Sequence, residues 1–95
     1  MKIIQTKSFS KTVKKLHNNQ KYELDKIIHY LMDNPEAGEL KKGDLSGDYV
    51  YKFQMINQLA LLAYCYDNGE LVLTLLSLGT HENFYRDLKN LYTMP

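Results

Sequence analysis

The chain is poor in cysteine and proline, with one and two respectively, and nowhere carries an apolar run long enough to cross a bilayer. The lone thiol, Cys65, cannot close an internal disulfide, and no charged-then-apolar leader opens the chain, so a reducing cytoplasm is the expected compartment. Neither a P-loop nor Gly-x-Gly-x-x-Gly spacing occurs, which leaves a nucleotide cofactor without support. His17, His29, Cys65 and His81 lack the compact spacing of zinc ligands, and Cys65 within an apolar stretch reads as a small core residue. No cofactor and no metal are therefore expected. With no linker, internal repeat or low-complexity segment, residues 1–95 read as a single domain.

What is present is ordinary for a folded domain: 95 residues, 44% hydrophobic and 24% charged. The net charge of +1 conceals an asymmetry. Residues 1–26 carry seven lysines against Glu23 and Asp25, whereas residues 27–95 carry five basic groups against nine acidic ones. A basic N-terminal third suits nucleic acid or an acidic protein, or simply solvates helix faces.

Lys2 to Thr6 is short and β-branched, and predicts a first strand. Ser8 or Ser10 then serves as cap for a helix with Phe9, Val13 and Leu16 on one side and Lys11, Lys14 and Lys15 on the other. A break near His17, Asn18 and Asn19 precedes a second helix, defined by Leu24, Ile27, Ile28 and Leu31, that must stop before Pro35. His17 and His29, on these early helices, are expected in core or boundary positions. Pro35 to Asp48 sustains no apolar period and reads as the long loop. From Tyr49 to Ile56 the period is two: Tyr49, Tyr51, Phe53 and Met55 alternate with Val50, Lys52, Gln54 and Ile56. Leu59 to Tyr66 and Glu70 to Leu78 are apolar runs around Asn68-Gly69, a strong hairpin signal. Thr80 begins a last helix from His81 to about Tyr92. The fold class is therefore α+β, in the order β-α-α-β-β-β-α, with two helices packed on a small, mostly antiparallel sheet.

If those two helices cover the aromatic face of the Tyr49 strand, Lys52 and Gln54 point to its open side. In the last helix Phe84, Leu88 and Leu91 form the buried stripe, and Tyr85 and Arg86 follow His81 by four and five residues. Glu82 suits the positive first turn, and Asp87 reads as an exposed carboxylate.

The element order, together with Gly43-Asp-Leu-Ser-Gly-Asp-Tyr-Val-Tyr-Lys-Phe53, Leu61-Leu-Ala-Tyr64 and Leu78-Gly-Thr-His-Glu-Asn-Phe-Tyr-Arg-Asp-Leu88, resembles the RelE/ParE superfamily of bacterial toxin–antitoxin toxins over essentially the whole chain. Gly79-Thr80-His81 is most similar to the YafQ branch. The resemblance implies a toxin that enters the ribosomal A site and cuts translated mRNA, an mRNA interferase held inactive by a cognate antitoxin. Its partners would be that antitoxin and the ribosome with its mRNA and rRNA, and not a membrane. Cleavage in this family is attack of a ribose 2′-OH on the neighbouring phosphate, a metal-independent endoribonuclease reaction that needs a base, an acid and positive charge. On this reading His81 moves protons, since imidazole titrates nearest neutrality and a helix N-terminus favours its neutral form. Lys52 matches a lysine of RelE-type toxins and would stabilise the pentavalent phosphorane. Gln54 donates hydrogen bonds, Tyr85 stacks on an unpaired base and Arg86 grips phosphate. Lys41 and Lys42 of the long loop, with Lys11, Lys14 and Lys15 of the first helix, would lie along rRNA phosphates.

Aligned without a gap, Met55 and Leu59 stand where the YafQ pattern has a second histidine and an aspartate, and Leu61 where RelE has an arginine. All three are apolar here. They favour an alternative of another class: a non-catalytic binding protein, either a ParE-like inhibitor of DNA gyrase or a degenerate toxin that binds an antitoxin.

Overall fold

The computed structural model describes residues 2–41, 47–79 and 84–93. Eight elements follow in chain order: β1 (Lys2–Gln5), α1 (Lys7–Lys14), α2 (Asn18–Asp33), β2 (Glu39–Leu40), β3 (Tyr49–Gln54), β4 (Leu59–Asp67), β5 (Glu70–Leu78) and α3 (Phe84–Thr93). The five strands form one sheet in the order β1-β5-β4-β3-β2, with only β1 running parallel to its neighbour. This is the α+β architecture that the apolar periods predict, with three refinements.

The first concerns α1, whose cap is Thr6 rather than Ser8 or Ser10. Thr6 has extended backbone, and its hydroxyl oxygen accepts from the Phe9 N–H at 3.1 Å while the hydroxyl donates to Thr74 O at 2.6 Å. One residue thus ends the strand, starts the helix and ties both to β5. The second lies in the expected loop, where Glu39 and Leu40 pair antiparallel with Val50 and Tyr49. Two residues show no period of their own, so only the pairing reveals them as strand. The third is the end of β3, at Gln54 rather than Ile56. Ile56 and Asn57 turn the chain with φ of 47° and 66°, closed by hydrogen bonds in both directions between Met55 and Gln58. The Asn68-Gly69 hairpin forms as the sequence predicts, both residues having positive φ.

Alternation along the strands builds two cores, one on each face of the sheet. On the first face α1 and α2 bury Phe9, Leu16, Leu24 and Leu31 against Phe53, Met55, Leu62, Tyr64, Leu71, Leu73 and Leu76. On the second face α3 buries Phe84 and Leu88 against Val50, Leu61 and Ala63. Between Ala63 and Tyr64 the β4–β5 register shifts because Thr74 is an extra residue in β5, which lets Leu73 and Leu76, three apart, both face the first core.

Tyr64 also fixes the chain between α2 and β2. Its hydroxyl donates to Pro35 O at 2.7 Å and accepts from the Gly38 N–H at 2.9 Å. Gly38 is required by this approach: a Cβ there would lie 2.8 Å from the tyrosine oxygen. Burial pushes the phenol up to about 12, and the Gly38 N–H, which favours the phenolate, only partly opposes it.

Candidate functional site

β3 presents opposite faces to the two helical layers, and this sorts its side chains. Tyr49, Tyr51 and Phe53 pack with α1 and α2, with ring centroids 5.8 Å apart for Tyr51 and Phe53. Val50 belongs to the α3 side, so Lys52 and Gln54, two and four residues on, share that side. Both are exposed, beyond the area that α3 covers. They point away from the aromatic face that α1 and α2 cover.

α3 completes the surface. Phe84 and Leu88 face the sheet, and Tyr85 lies at the margin of the second core, edge-on to Phe84 at 5.3 Å between centroids. From the other side Lys41, directly after β2, brings its Nζ to 5.0 Å from the centre of the Tyr85 ring and 2.9 Å from Glu39 Oε1. Only 20% of the Lys41 side chain is exposed. The hydrogen bond to Glu39 holds its ammonium above the usual lysine range, and the Tyr85 hydroxyl adds to this against the effect of burial. Glu39 moves the other way: the Lys41 hydrogen bond and charge, with that of Lys52, keep its carboxyl below the usual range. A backbone bond from Lys41 N to Asp48 O at 2.8 Å fixes the strand that carries both groups.

Lys41, Lys52, Gln54 and Tyr85 therefore lie on one side of the sheet, Lys41 and Tyr85 together at the β2 end and Gln54 at the far end of β3. Arg86 is not drawn in. It stands about half a helical turn from the Phe84 and Leu88 stripe, exposed, with Asp87 at 3.9 Å. Lys11, Lys14 and Lys15 are exposed on α1, the helix that packs against the opposite face of the sheet, and form a separate basic surface. His81 and Lys42, with Thr80, Glu82 and Asp44, lie outside the described residues. Gly79, which precedes His81 by two residues, donates its N–H to Leu59 O at 2.8 Å, at the end of the sheet where Leu59 pairs with Gln54.

Two features escaped the sequence. Glu39 was hidden because the loop signal around it masked a two-residue strand. The Ile56-Asn57-Gln58 turn carries an exposed Ile56 in a left-handed conformation, which costs a β-branched residue roughly 1–2 kcal/mol. Its Gln58 Nε2 stands 3.4 Å from where a Cβ on Gly79 would lie.

Met55, Leu59 and Leu61, the apolar residues that the resemblance sets against polar ones, have structural work. Met55 is fully buried in the first core, Leu61 lies 1% exposed beneath Phe84 and Leu88, and Leu59 is half-buried. A charged group at Leu61 would have to be buried or would push α3 away. The early histidines, expected in core or boundary positions, are both exposed. His17 caps α2, its N–H bonded to Gln20 Oε1 at 2.8 Å, and His29 Nδ1 lies 3.5 Å from Asp25 Oδ2. Cys65 is half-buried, and burial followed by the charges of Asp48 and Asp67 pushes its thiol up, away from the reactive thiolate. Among the described residues no three His, Cys, Asp or Glu side chains gather as a metal site, and no helix is long and apolar enough to cross a membrane.

The fold is that of a known toxin. Isolated E. coli RelE superposes with a TM-score of 0.68 at 15% identity, over 96% of this chain and 97% of that one. A double arginine-to-alanine variant of E. coli RelE in the free state gives 0.67 at 16%, over 99% and 97%. The intact E. coli RelBE toxin–antitoxin complex gives 0.65 at 14%, over 80% and 93%. No curated protein matches the sequence. A family model described as the ParE-like toxin of type II bacterial toxin–antitoxin systems matches residues 3–89. With nearly the whole sequence matched and the α+β sheet superposing on RelE, the chain belongs to the ParE-like toxin family of type II bacterial toxin–antitoxin systems.

Proposed function

We propose that this toxin is a ribosome-dependent endoribonuclease that cuts translated mRNA in the A site. The observation that carries the reading is the placement of Lys41, Lys52, Gln54 and Tyr85 along one face of the sheet. Two cations, an amide and an aromatic ring are what a single-stranded RNA needs from a protein: charge for phosphate, a donor for its oxygens and a platform for a base. Gly79 lies at the Gln54 end of that surface, and His81 follows it by two residues in sequence. Within the reaction a ribose 2′-OH attacks the neighbouring phosphorus and the 5′-oxygen leaves. His81 moves the proton, Lys52 stabilises the phosphorane and Gln54 orients it. Tyr85 stacks on the splayed base. Arg86, outward on α3, and the α1 lysines Lys11, Lys14 and Lys15 contact rRNA, with Lys42 beside Lys41.

A cognate antitoxin restrains the toxin in the cytoplasm; the similarity to E. coli RelE, which is found in the RelBE toxin–antitoxin complex, supports a partner of this kind. Its disordered tail would bind by coupled folding, over the Lys52 face, at a sheet edge or in place of α3.

The test is primer extension on a reporter mRNA after brief induction, with wild type, His81→Ala and a translation-blocked transcript. Codon-phased cuts that need both translation and His81 support the reading. The burial of Leu61 under α3 favours a second reading, a ParE-like inhibitor of DNA gyrase, because an apolar site binds better than it moves protons. Growth arrest without such cuts, accompanied by loss of supercoiling activity by purified gyrase, would establish it.

A further inference from the structure

Antiparallel pairing of Glu39 with Val50 puts their side chains on the same face, the one α3 covers. Lys52, two residues beyond Val50, is the diagonal neighbour of Glu39 on that face, within reach of a long side chain. Lys41 is already there, 2.9 Å from the carboxylate and 5.0 Å from the centre of the Tyr85 ring. Lys41 is nearly covered, whereas 76% of the Glu39 side chain is exposed, so the carboxylate approaches the two cations from the solvent side. An RNA phosphate would arrive from that same direction.

Stability does not account for the arrangement. The Glu39 end of the pair is open to solvent, which weakens it, and β2 is already held by backbone pairing, by the Lys41 N to Asp48 O bond and by the Tyr64 anchor at Pro35 and Gly38. A carboxylate and a phosphodiester oxygen pair are alike in charge and in what they accept from an ammonium. Glu39 has the chemistry of the ligand its neighbours suit.

Resting on the ribonuclease reading, we infer that Lys41, held against the Tyr85 ring, and Lys52 form a subsite for one backbone phosphate of single-stranded RNA, and that Glu39 is its internal competitor. RNA must displace the carboxylate to enter. Any isolated phosphate is thereby held weakly, and binding requires further simultaneous contacts, such as those an mRNA presented on a ribosome supplies. The device restrains indiscriminate RNA binding without removing either lysine.

The experiment is fluorescence anisotropy of a labelled single-stranded RNA oligomer against purified wild type, Glu39→Gln and Glu39→Ala over a range of salt concentrations. Thermal melts would establish that each variant is folded. Glutamine keeps the length and a hydrogen-bond acceptor, and alanine removes the group by another route. Both should bind roughly 2- to 10-fold more tightly than wild type at low salt, with the gain shrinking as salt rises. Adding Lys41→Met to Glu39→Gln should abolish the gain and lower the salt slope by about 0.7. If wild type binds RNA and cuts translated mRNA but either Glu39 variant binds no more tightly, the competitor is refuted while the nuclease stands. If no protein binds RNA and wild type does not cut, both fall together.

Discussion

Replacing Tyr64 with phenylalanine removes one oxygen from a side chain that is otherwise wholly buried. That oxygen makes two bonds, donating to Pro35 O at 2.7 Å and accepting from Gly38 N–H at 2.9 Å. The ring keeps its stack on Tyr49, at 5.5 Å between centroids, so the change isolates the hydroxyl. At about 0.5–1.5 kcal/mol for each bond, the expected loss is roughly 1–3 kcal/mol. For a domain of this length each kcal/mol corresponds to about 4–8 °C in melting temperature. Tyr49→Phe is the control, because its hydroxyl has a 3.5 Å contact with Tyr66 and should matter little. Urea unfolding of the three proteins decides the point. Equal stability of wild type and Tyr64→Phe would refute the argument that this hydroxyl anchors the segment leading into β2. An alkaline titration gives an independent reading. Because the folded phenol is raised to about 12 from an ordinary 10, its stabilising effect is complete below pH 10 and is lost as pH rises towards 12. Near-ultraviolet absorbance should show tyrosines ionising late, Tyr64 and Tyr66 among them, and Tyr64→Phe should lose part of that late step.

Leu31→Ala, at a fully buried position between α2 and the sheet, should cost about 2–5 kcal/mol in urea unfolding; a loss below 1 kcal/mol would mean that α2 repacks freely. Ile56→Asn should stabilise by about 1 kcal/mol, since asparagine tolerates the left-handed conformation that strains isoleucine, and a lower melting temperature would show that Ile56 is held by packing instead. Lys52→Met should retain the fold and lower mRNA cleavage by roughly 10²–10³-fold, measured by primer extension; undiminished cleavage would remove Lys52 from the reaction.

Periodicity made the larger elements legible, for a physical reason. Phe9, Leu24, Leu31, Phe53 and Leu88 occupy the positions their spacing assigns because burial of a large apolar side chain outweighs local preference. The sorting of Tyr51 and Phe53 from Lys52 followed from the same alternation. Two-residue β2 was illegible because a strand that short has no period; its existence depends on Val50 and Tyr49, which are distant from it in sequence. Thr6 was passed over as a cap because β-branched residues read first as strand, and it is both the end of one element and the start of the next. Of the site, Lys52 and Gln54 could be placed from alternation, but the meeting of Lys41 with Tyr85 and Glu39 required the β2 pairing. Arg86, one residue beyond Tyr85, points another way on α3, as helical spacing requires.

The parallel pairing of β1 with β5 sets a schedule for biogenesis. Lys2 pairs with Glu70, and Thr6 bonds Thr74 across 68 residues, whereas the β4–β5 hairpin closes over a two-residue turn. Closing the long loop costs entropy that only late contacts return, so β1 and the α1 face carrying Phe9 dock last. During translation at about 5–20 residues per second, roughly 4–14 s separate synthesis of β1 from synthesis of the strand it needs. Through that interval the first core lacks one of its walls. Until β5 is made, neither the β1 pairing nor the first core can be completed, so the last third of the chain decides when the N-terminal third can fold.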